Sequence, residues 1–414
     1  MLDLRGGWFG KAHKLDGVGC LHEKATSSAS RGATFIGIDY HKAYSVYCVL
    51  DAQGSNLERG GIDHARPEDF RTLVRRRAGC HVVFEASMNW HWLFEILERE
   101  VPSERIVLAN PFKTRIIAEA QIKTDKVDAR ILADLLRGRL VSSVHIAGRE
   151  TRQIREVLRQ RCFFVRQRTM LRNRIHRLLG GQHEVKLPQC SDLFGHKGVG
   201  FWERLELPAP ARLLLIQQLT LLKELAVRIR EDEKTLEGLL EQSLALQHVR
   251  SLPGMGPILA AVVVSEIDNI ERFRSAQKLC GYAGLCPSTS SSGGKTFQGK
   301  LLPHCNKWLR WAFVEAAWVA IGCSAYFGDF YKCKRALGKK PNIAILATAR
   351  LMARITWQLL TQCRNYTSVA ETQYLRSQPA ERIACAVSLA KEVQKSLKDP
   401  SDFPRRRLSP VAPK

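Results

Sequence analysis

The sequence predicts an α/β domain built on a central mixed sheet, then a helical segment, then a mainly α domain. Three observations carry this. Short β-rich runs alternate with helical stretches from Ala33 to Pro111, an arginine-rich helical stretch runs from Thr151 to Leu179, and apolar helical texture returns after Ser251. At 414 residues the chain is long for one ordinary domain, so two compact domains joined by an elongated element are the natural arrangement.

Residues 1–32 are rich in Gly, Ser and charge without a clear period and read as a flexible extension. The α/β domain is assigned to residues 33–148. Thr34–Asp39 and Ser45–Leu50 are β-rich runs flanking a polar turn, and Leu57–Ile62 adds a third strand after Ala52-Gln53-Gly54, which makes a meander. Glu68–Arg77 reads as a basic helix, His81–Phe84 as a strand, Trp90–Arg99 as a helix and Arg105–Leu108 as a strand before Asn110-Pro111.

The helical segment, 149–248, opens with Thr151–Leu179, which carries nine arginines, among them Arg161, Arg166, Arg168, Arg172, Arg174 and Arg177. Pro188 to Pro210 interrupts it. A second long helix then sets Leu222, Leu225, Ile229, Leu236, Leu239 and Leu246 at 3–4 spacing, with Asp232 and Ser243 as polar exceptions, a coiled-coil pattern. Plain amphipathic packing on the domains accounts for this second helix equally well, but less well for the arginine density of the first. Residues 249–366 form the third part. Leu252-Pro253-Gly254-Met255-Gly256-Pro257 leads into apolar Ile258–Val264, then helix, loop and helix to about Tyr366. The tail, 367–414, has a helical stretch from Ala380 to Leu397 and ends in Pro404-Arg405-Arg406-Arg407, read as disordered.

Lys and Arg number 64 against 40 Asp and Glu, a formal charge of +24. That excess points to a polyanionic partner, nucleic acid ahead of an acidic membrane surface. Twelve cysteines lie scattered without a C-x-x-C pair, which excludes a disulfide scaffold, and Cys280, Cys286, His304 and Cys305 match no standard zinc spacing. The N-terminus has no unbroken apolar stretch of a secretory signal, and no run reaches about 18 apolar residues. No membrane association and a cytoplasmic location are expected.

Asp39 ends the first apolar strand and Glu85 ends the strand His81–Phe84. Packing gives no reason for acids at the ends of sheet strands, whereas a metal site needs carboxylates on rigid elements. Lys123-Thr124-Asp125-Lys126-Val127-Asp128-Ala129 starts a helix whose three-residue spacing sets Asp125 and Asp128 on one face. Four carboxylates that converge repel one another unless divalent cations neutralise them, which suits two Mg²⁺ ions in phosphoryl transfer. Taken alone, Asp125 and Asp128 also read as an N-cap and its third residue, and Glu85 as an ordinary strand end.

Gly37-Ile38-Asp39 with Lys42, Phe84-Glu85-Ala86-Ser87, Asn110-Pro111, Lys123-Thr124-Asp125 and Val127-Asp128-Ala129 together resemble the DEDD transposases of the insertion-sequence one-ten family. The resemblance implies an RNase H-like, RuvC-like fold for the first domain, with Asp39, Glu85, Asp125 and Asp128 as its metal-binding tetrad. It continues in Phe273-Arg274-Ser275, Leu279–Pro287, Ser290-Ser291-Ser292-Gly293-Gly294-Lys295 and Asn306-Lys307-Trp308-Leu309-Arg310, and covers roughly Phe35 to Tyr366. By composition the serine-glycine run is a surface loop. By resemblance Ser292, before Gly293, is a nucleophile, with Ser291 next. Cys305 departs from the family's glycine before the asparagine. Gly254-Met255-Gly256 has the glycine spacing of a helix-hairpin-helix turn.

The resemblance implies a recombinase that cuts and rejoins DNA through the tetrad and a covalent phosphoserine, guided by a noncoding bridge RNA that pairs with donor and target DNA. A homo-oligomer, dimer or tetramer, assembled through the helices is expected. Lys42, Arg166, Arg172, Arg174, Lys295 and Arg310 are the expected nucleic-acid contacts. Two rivals are a Holliday-junction resolvase-like nuclease that uses the carboxylates and water, with Ser292 structural, and an inactive nucleic-acid-binding remnant of a decayed element.

Overall fold

The computed structural model describes residues 32–87, 89–117, 125–181, 188, 192–292 and 295–366. The extension before residue 32 and the tail from 367, with its expected helix and basic run, lie outside the described residues. The chain divides into two compact units, Met1–Ile146 and Ala147–Lys414.

The first unit holds strands β1 (Phe35–Tyr40), β2 (Tyr44–Leu50), β3 (Asn56–Asp63), β4 (His81–Glu85) and β5 (Ile106–Ala109), and helices α1 (Glu68–Arg75), α2 (Trp90–Leu97), α3 (Pro111–Ile117) and α4 (Asp125–Arg137). The strands form one sheet in the order β3-β2-β1-β4-β5. Short links make β1, β2 and β3 antiparallel, while β1, β4 and β5, joined through α1 and α2, run parallel. The sheet is therefore mixed, as an α/β RNase H-like domain requires.

Strand alternation sorts the side chains between two faces. Ile36, Ile38, Val82 and Phe84 pack with Phe70, Leu73, Leu93 and Leu97 of α1 and α2. Phe70 and Phe84 are fully buried, and each such burial stabilises by about 1.5–3 kcal/mol. On the other face Val83 meets Leu132, and Cys48 and Leu50 meet Ala129 and Ala133, all from α4. Gly37 permits that approach: a Cβ there would fall 2.6 Å from the Ala133 nitrogen, and closer still to the Ala129 carbonyl.

The second unit begins with α5 (Arg149–Gly180), α6 (His196–Arg204), α7 (Ala209–Leu240) and α8 (Leu244–Arg250). Ile175 and Leu179 of α5 cluster with Leu215 and Leu222 of α7, whereas Ile154 and Leu158 share a core with Leu236 and Leu240. The two long helices are thus antiparallel. The apolar series expected to run on to Leu246 breaks at Leu240, because the Ser243 side chain accepts a hydrogen bond from the Leu246 nitrogen at 3.2 Å and starts α8 instead. Leu239, placed on the seam by spacing, is 47% exposed.

Helices α9 (Pro257–Ile267), α10 (Ala276–Tyr282), α11 (Lys307–Cys323), α12 (Ala325–Ala336) and α13 (Pro341–Thr361) complete the unit, with a separate hairpin of β6 (Pro287–Ser292) and β7 (Lys295–Leu301). Among the described residues α13 alone is by itself long and apolar enough to cross a membrane, but Ile345, Met352, Ile355 and Leu359 bury it in this unit's core.

Candidate active site

Asp39 is the penultimate residue of β1 and Glu85 the last of β4. The parallel register pairs Ile38 with Phe84, so the two acids stand one step further on, on neighbouring strands about 4.8 Å apart. Asp39 shares the parity of Gly37, and Glu85 that of Val83. Both therefore belong to the face that α4 covers. The direction of α4 follows from its ends: Ala129 lies over Gly37, while Arg137 lies against Gly54, in the turn beyond Leu50, the partner of Phe35. Its first residues consequently sit at the strand ends that carry Asp39 and Glu85. Asp128, half-buried, directly precedes the Ala129 contact, and Asp125 opens the helix with its side chain outside the described part.

The fold thus brings the four positions to one face at one end of the sheet. Among the described residues no three His, Cys, Asp or Glu side chains converge as a complete ligand set. Carboxylate oxygens are nonetheless the donors that a hard divalent cation takes. In their present arrangement the Asp39 carboxylate lies 3.2 Å from Nε2 of His41. Lys42 is exposed in the turn between β1 and β2.

That turn is held by residues that sequence reasoning missed. The His64 backbone nitrogen donates to the Ala43 carbonyl at 3.0 Å, its Nε2 lies 2.9 Å from the fully buried Ser45 hydroxyl, and its ring stacks on Tyr40 at 4.9 Å. Burial lowers the His64 pKa, against the pull of the Lys42 backbone. No spacing marked this histidine, since its partners come from other strands.

In the second unit the serine-glycine run is not a loop throughout, as its composition suggested. Ser290, Ser291 and Ser292 belong to β6 and pair with Phe297, Thr296 and Lys295. Ser292 and Lys295 form the last pair of the ladder, although their side chains lie outside the described part. Arg310 donates from Nη2 to the Leu302 carbonyl at 2.6 Å and approaches the Cys305 sulfur at 2.7 Å. Gly284, at φ +64°, leaves room for that guanidinium. The other glycine turn has a packing use: Gly254, at φ +83°, lies so close to α11 that a Cβ would reach 2.8 Å from the Ala320 nitrogen.

The arginines of α5 divide into two groups. Arg159 pairs with Glu266 at 2.7 Å, Arg155 with the same carboxylate at 3.7 Å, and Arg161 with Glu233 at 2.6 Å. Glu266, buried in α9, also accepts from Asn306 Nδ2 at 2.8 Å, while Asn306 Oδ1 caps α11 by accepting from the Leu309 nitrogen. Sequence reasoning missed Glu266, which reads there as an ordinary helix residue. Burial, then Arg172 and Arg161, lowers the pKa of Arg168. Arg172 lies 4.0 Å from Asp192 and over the Phe194 ring, Arg166 is half-buried, and Arg174 is exposed.

A family model described as "Transposase IS116/IS110/IS902 family" matches residues 246–332, and a DEDD model of the IS110 type, described as "Transposase", matches residues 36–183. A "Probable family 20 transposase" of Pseudomonas aeruginosa is 25% identical over 332 residues, covering 79% of this chain and 96% of the relative. The "Transposase for insertion sequence element IS1111A" of Coxiella burnetii is 25% identical over 346 residues, covering 80% and 90%. An "Insertion element IS110 uncharacterized 43.6 kDa protein" of Streptomyces coelicolor is 30% identical over 140 residues, 34% of each chain. The mixed-sheet fold and these matches define the class, a DNA transposase, an enzyme that acts on DNA. Within that class the chain belongs to the IS110 family of DEDD transposases of insertion sequences.

Proposed function

We propose that this transposase cuts and rejoins DNA with Asp39, Glu85, Asp125 and Asp128 as the ligands of two Mg²⁺ ions and Ser292 as the nucleophile. The observation that carries the reading is the arrival of all four acidic positions on one face at one end of the sheet, which the Gly37 contact with α4 fixes. Bound divalent cations would supply charge stabilisation to the attacking and leaving oxygens. The Ser292 oxygen bonds to phosphorus, the phosphorus–deoxyribose oxygen bond breaks, and the leaving strand takes a proton to become a hydroxyl. The phosphoserine keeps the phosphodiester energy, so attack by a second strand hydroxyl rejoins DNA and returns the serine proton without a nucleotide cofactor. Lys295, opposite Ser292, steadies the phosphate, and Arg310 does so with the part of its guanidinium that its carbonyl partner leaves.

A bridge RNA would choose donor and target sites by base pairing, while Lys42, Arg166, Arg172 and Arg174 hold backbone phosphates. Assembly as a homo-oligomer through a coiled coil of α5 and α7 is supported by exposed Phe163, Met170, Leu213, Ile216 and Val227 on those helices. The enzyme would work in the cytoplasm.

Three variants test the reading. Asp39→Asn and Asp125→Asn should abolish metal-dependent cleavage while the fold and nucleic-acid binding persist; full activity in either would overturn the tetrad. Ser292→Ala should bind DNA yet lose any protein–DNA adduct that survives denaturation. An adduct undiminished in Ser292→Ala, or mapped to Ser290 or Ser291, would refute the nucleophile, and cleavage without an adduct would favour a resolvase-like nuclease.

A further inference from the structure

We propose that the turn joining α12 to α13 is a docking surface for the phosphodiester backbone of duplex DNA, an inference that rests on the reading of the chain as an enzyme acting on DNA. Between residues 329 and 340 stand Lys332, Lys334, Arg335, Lys339 and Lys340, with Asp329 as the sole carboxylate. Lys332, Arg335, Lys339 and Lys340 are exposed.

What distinguishes this surface is that, among the described residues, little of its charge is answered by carboxylates. The arginine-rich helix α5 looks more basic in sequence, but Glu266 and Glu233 take up Arg155, Arg159 and Arg161. In the turn, among the described residues, Asp329 pairs only with Lys332, at 3.3 Å, with both side chains about half exposed, an ion pair worth little in water. Among the described residues neither Lys339 nor Lys340 has an ion pair or a side-chain hydrogen bond. Lys334, Arg335, Lys339 and Lys340, four cations without an ion pair among the described residues, create a local field that attracts phosphates.

The backbone of this surface is also set in advance. Gly338, at φ +75°, lets the chain leave α12 in a left-handed turn, where its nitrogen donates to the Arg335 carbonyl at 2.9 Å and the Lys339 nitrogen to the Lys334 carbonyl at 3.3 Å. Arg335 Nη1 then donates to the Lys339 carbonyl at 2.8 Å, which ties the two basic ends together. A turn so closed loses little backbone freedom when a polyanion arrives. Duplex DNA, with phosphates on both strands, is the polyanion that the enzyme must hold in any case.

The test uses the full chain in metal-free buffer with a random-sequence duplex, and anisotropy titrations over a range of NaCl concentrations. Each lost phosphate contact should reduce the slope of log K against log salt by about 0.9. Lys332→Gln/Lys339→Gln/Lys340→Gln should therefore flatten the slope by about 2–3 with an unchanged melting temperature, and the matching Lys→Arg variant should retain it. A steep wild-type slope left unchanged in the Gln variant would overturn this surface and leave the DNA-acting reading intact. A loss seen with single-stranded RNA and not with duplex DNA would overturn the choice of partner. A wild-type chain without salt-dependent duplex binding would overturn both.

Discussion

Gly37→Ala is the sharpest probe of the carboxylate end, because it moves α4 without touching an acid. The added Cβ would lie 2.6 Å from the Ala133 nitrogen, and both obstacles, this and the Ala129 carbonyl, are helix backbone that cannot rotate aside. Ordinary contact needs roughly 3.4–4 Å, so α4 has to retreat by about 1 Å from β1. Overpacking of this kind costs about 1–3 kcal/mol, several degrees in the melting temperature of the first unit. The effect on activity should be larger, since the same shift carries Asp125 and Asp128 away from Asp39 and Glu85, and a displacement of about 1 Å can cost about 100-fold in rate. Gly61→Ala serves as the control: it lies on the same sheet, where a Cβ meets nothing nearer than the Ser45 carbonyl at 3.8 Å. Single-turnover cleavage with saturating Mg²⁺, alongside calorimetry, reads both effects. A Gly37→Ala enzyme as stable and as active as Gly61→Ala would refute the placement of α4 over the strand ends.

Glu266→Ala leaves Arg155 and Arg159 facing a buried gap and should cost about 3 kcal/mol, the low end for a buried pair because Arg159 is a third exposed; chemical denaturation of the full chain measures it. Asp232 lies half-buried on α7, where burial and then Glu231 raise its pKa, so the folded state binds its proton more tightly than the unfolded one. The stability this gives is present below the ordinary aspartate value of 3.8 and is lost as pH rises through the raised folded value, so Asp232→Asn should increase the melting temperature at pH 7 with a gain that shrinks towards pH 4. An equal gain at both pH values would point to packing instead. Replacing Arg166, Arg172 and Arg174 with Gln should weaken nucleic-acid binding uniformly across sequences and flatten its salt dependence, the greater share coming from exposed Arg174; an unchanged salt slope would make α5 a packing element only.

The strands of the first unit were legible because apolar runs such as Phe35–Ile38 and Val82–Phe84 end abruptly in acids, and the same abruptness made Asp39 and Glu85 stand out. The face they share was not legible, since it depends on the direction of α4, which is set by tertiary contacts at Gly37 and Gly54. In the second unit a run of serines has the composition of a loop, yet pairing with Lys295–Leu301 overrides that weak local preference and makes a strand. Arginine density in α5 suggested a nucleic-acid surface. A count of charges along one helix contains no trace of Glu233 and Glu266, which lie 72 and 107 residues away from the arginines they engage.

Glu266 has a bearing on how such a chain could be taken apart. Its carboxylate is paired with arginines of α5 and held by Asn306 at the head of α11, so a fragment that began at residue 249 would keep the Asn306 hydrogen bond but leave the carboxylate without either counter-charge. The smallest piece able to stand alone in that region must carry α5 with it. Exchange of serine-bearing modules between related transposases, by recombination or by design, should then succeed only with breakpoints ahead of Arg149, and chimaeras joined between α7 and α9 should express poorly unless both sides preserve the Arg159–Glu266 match.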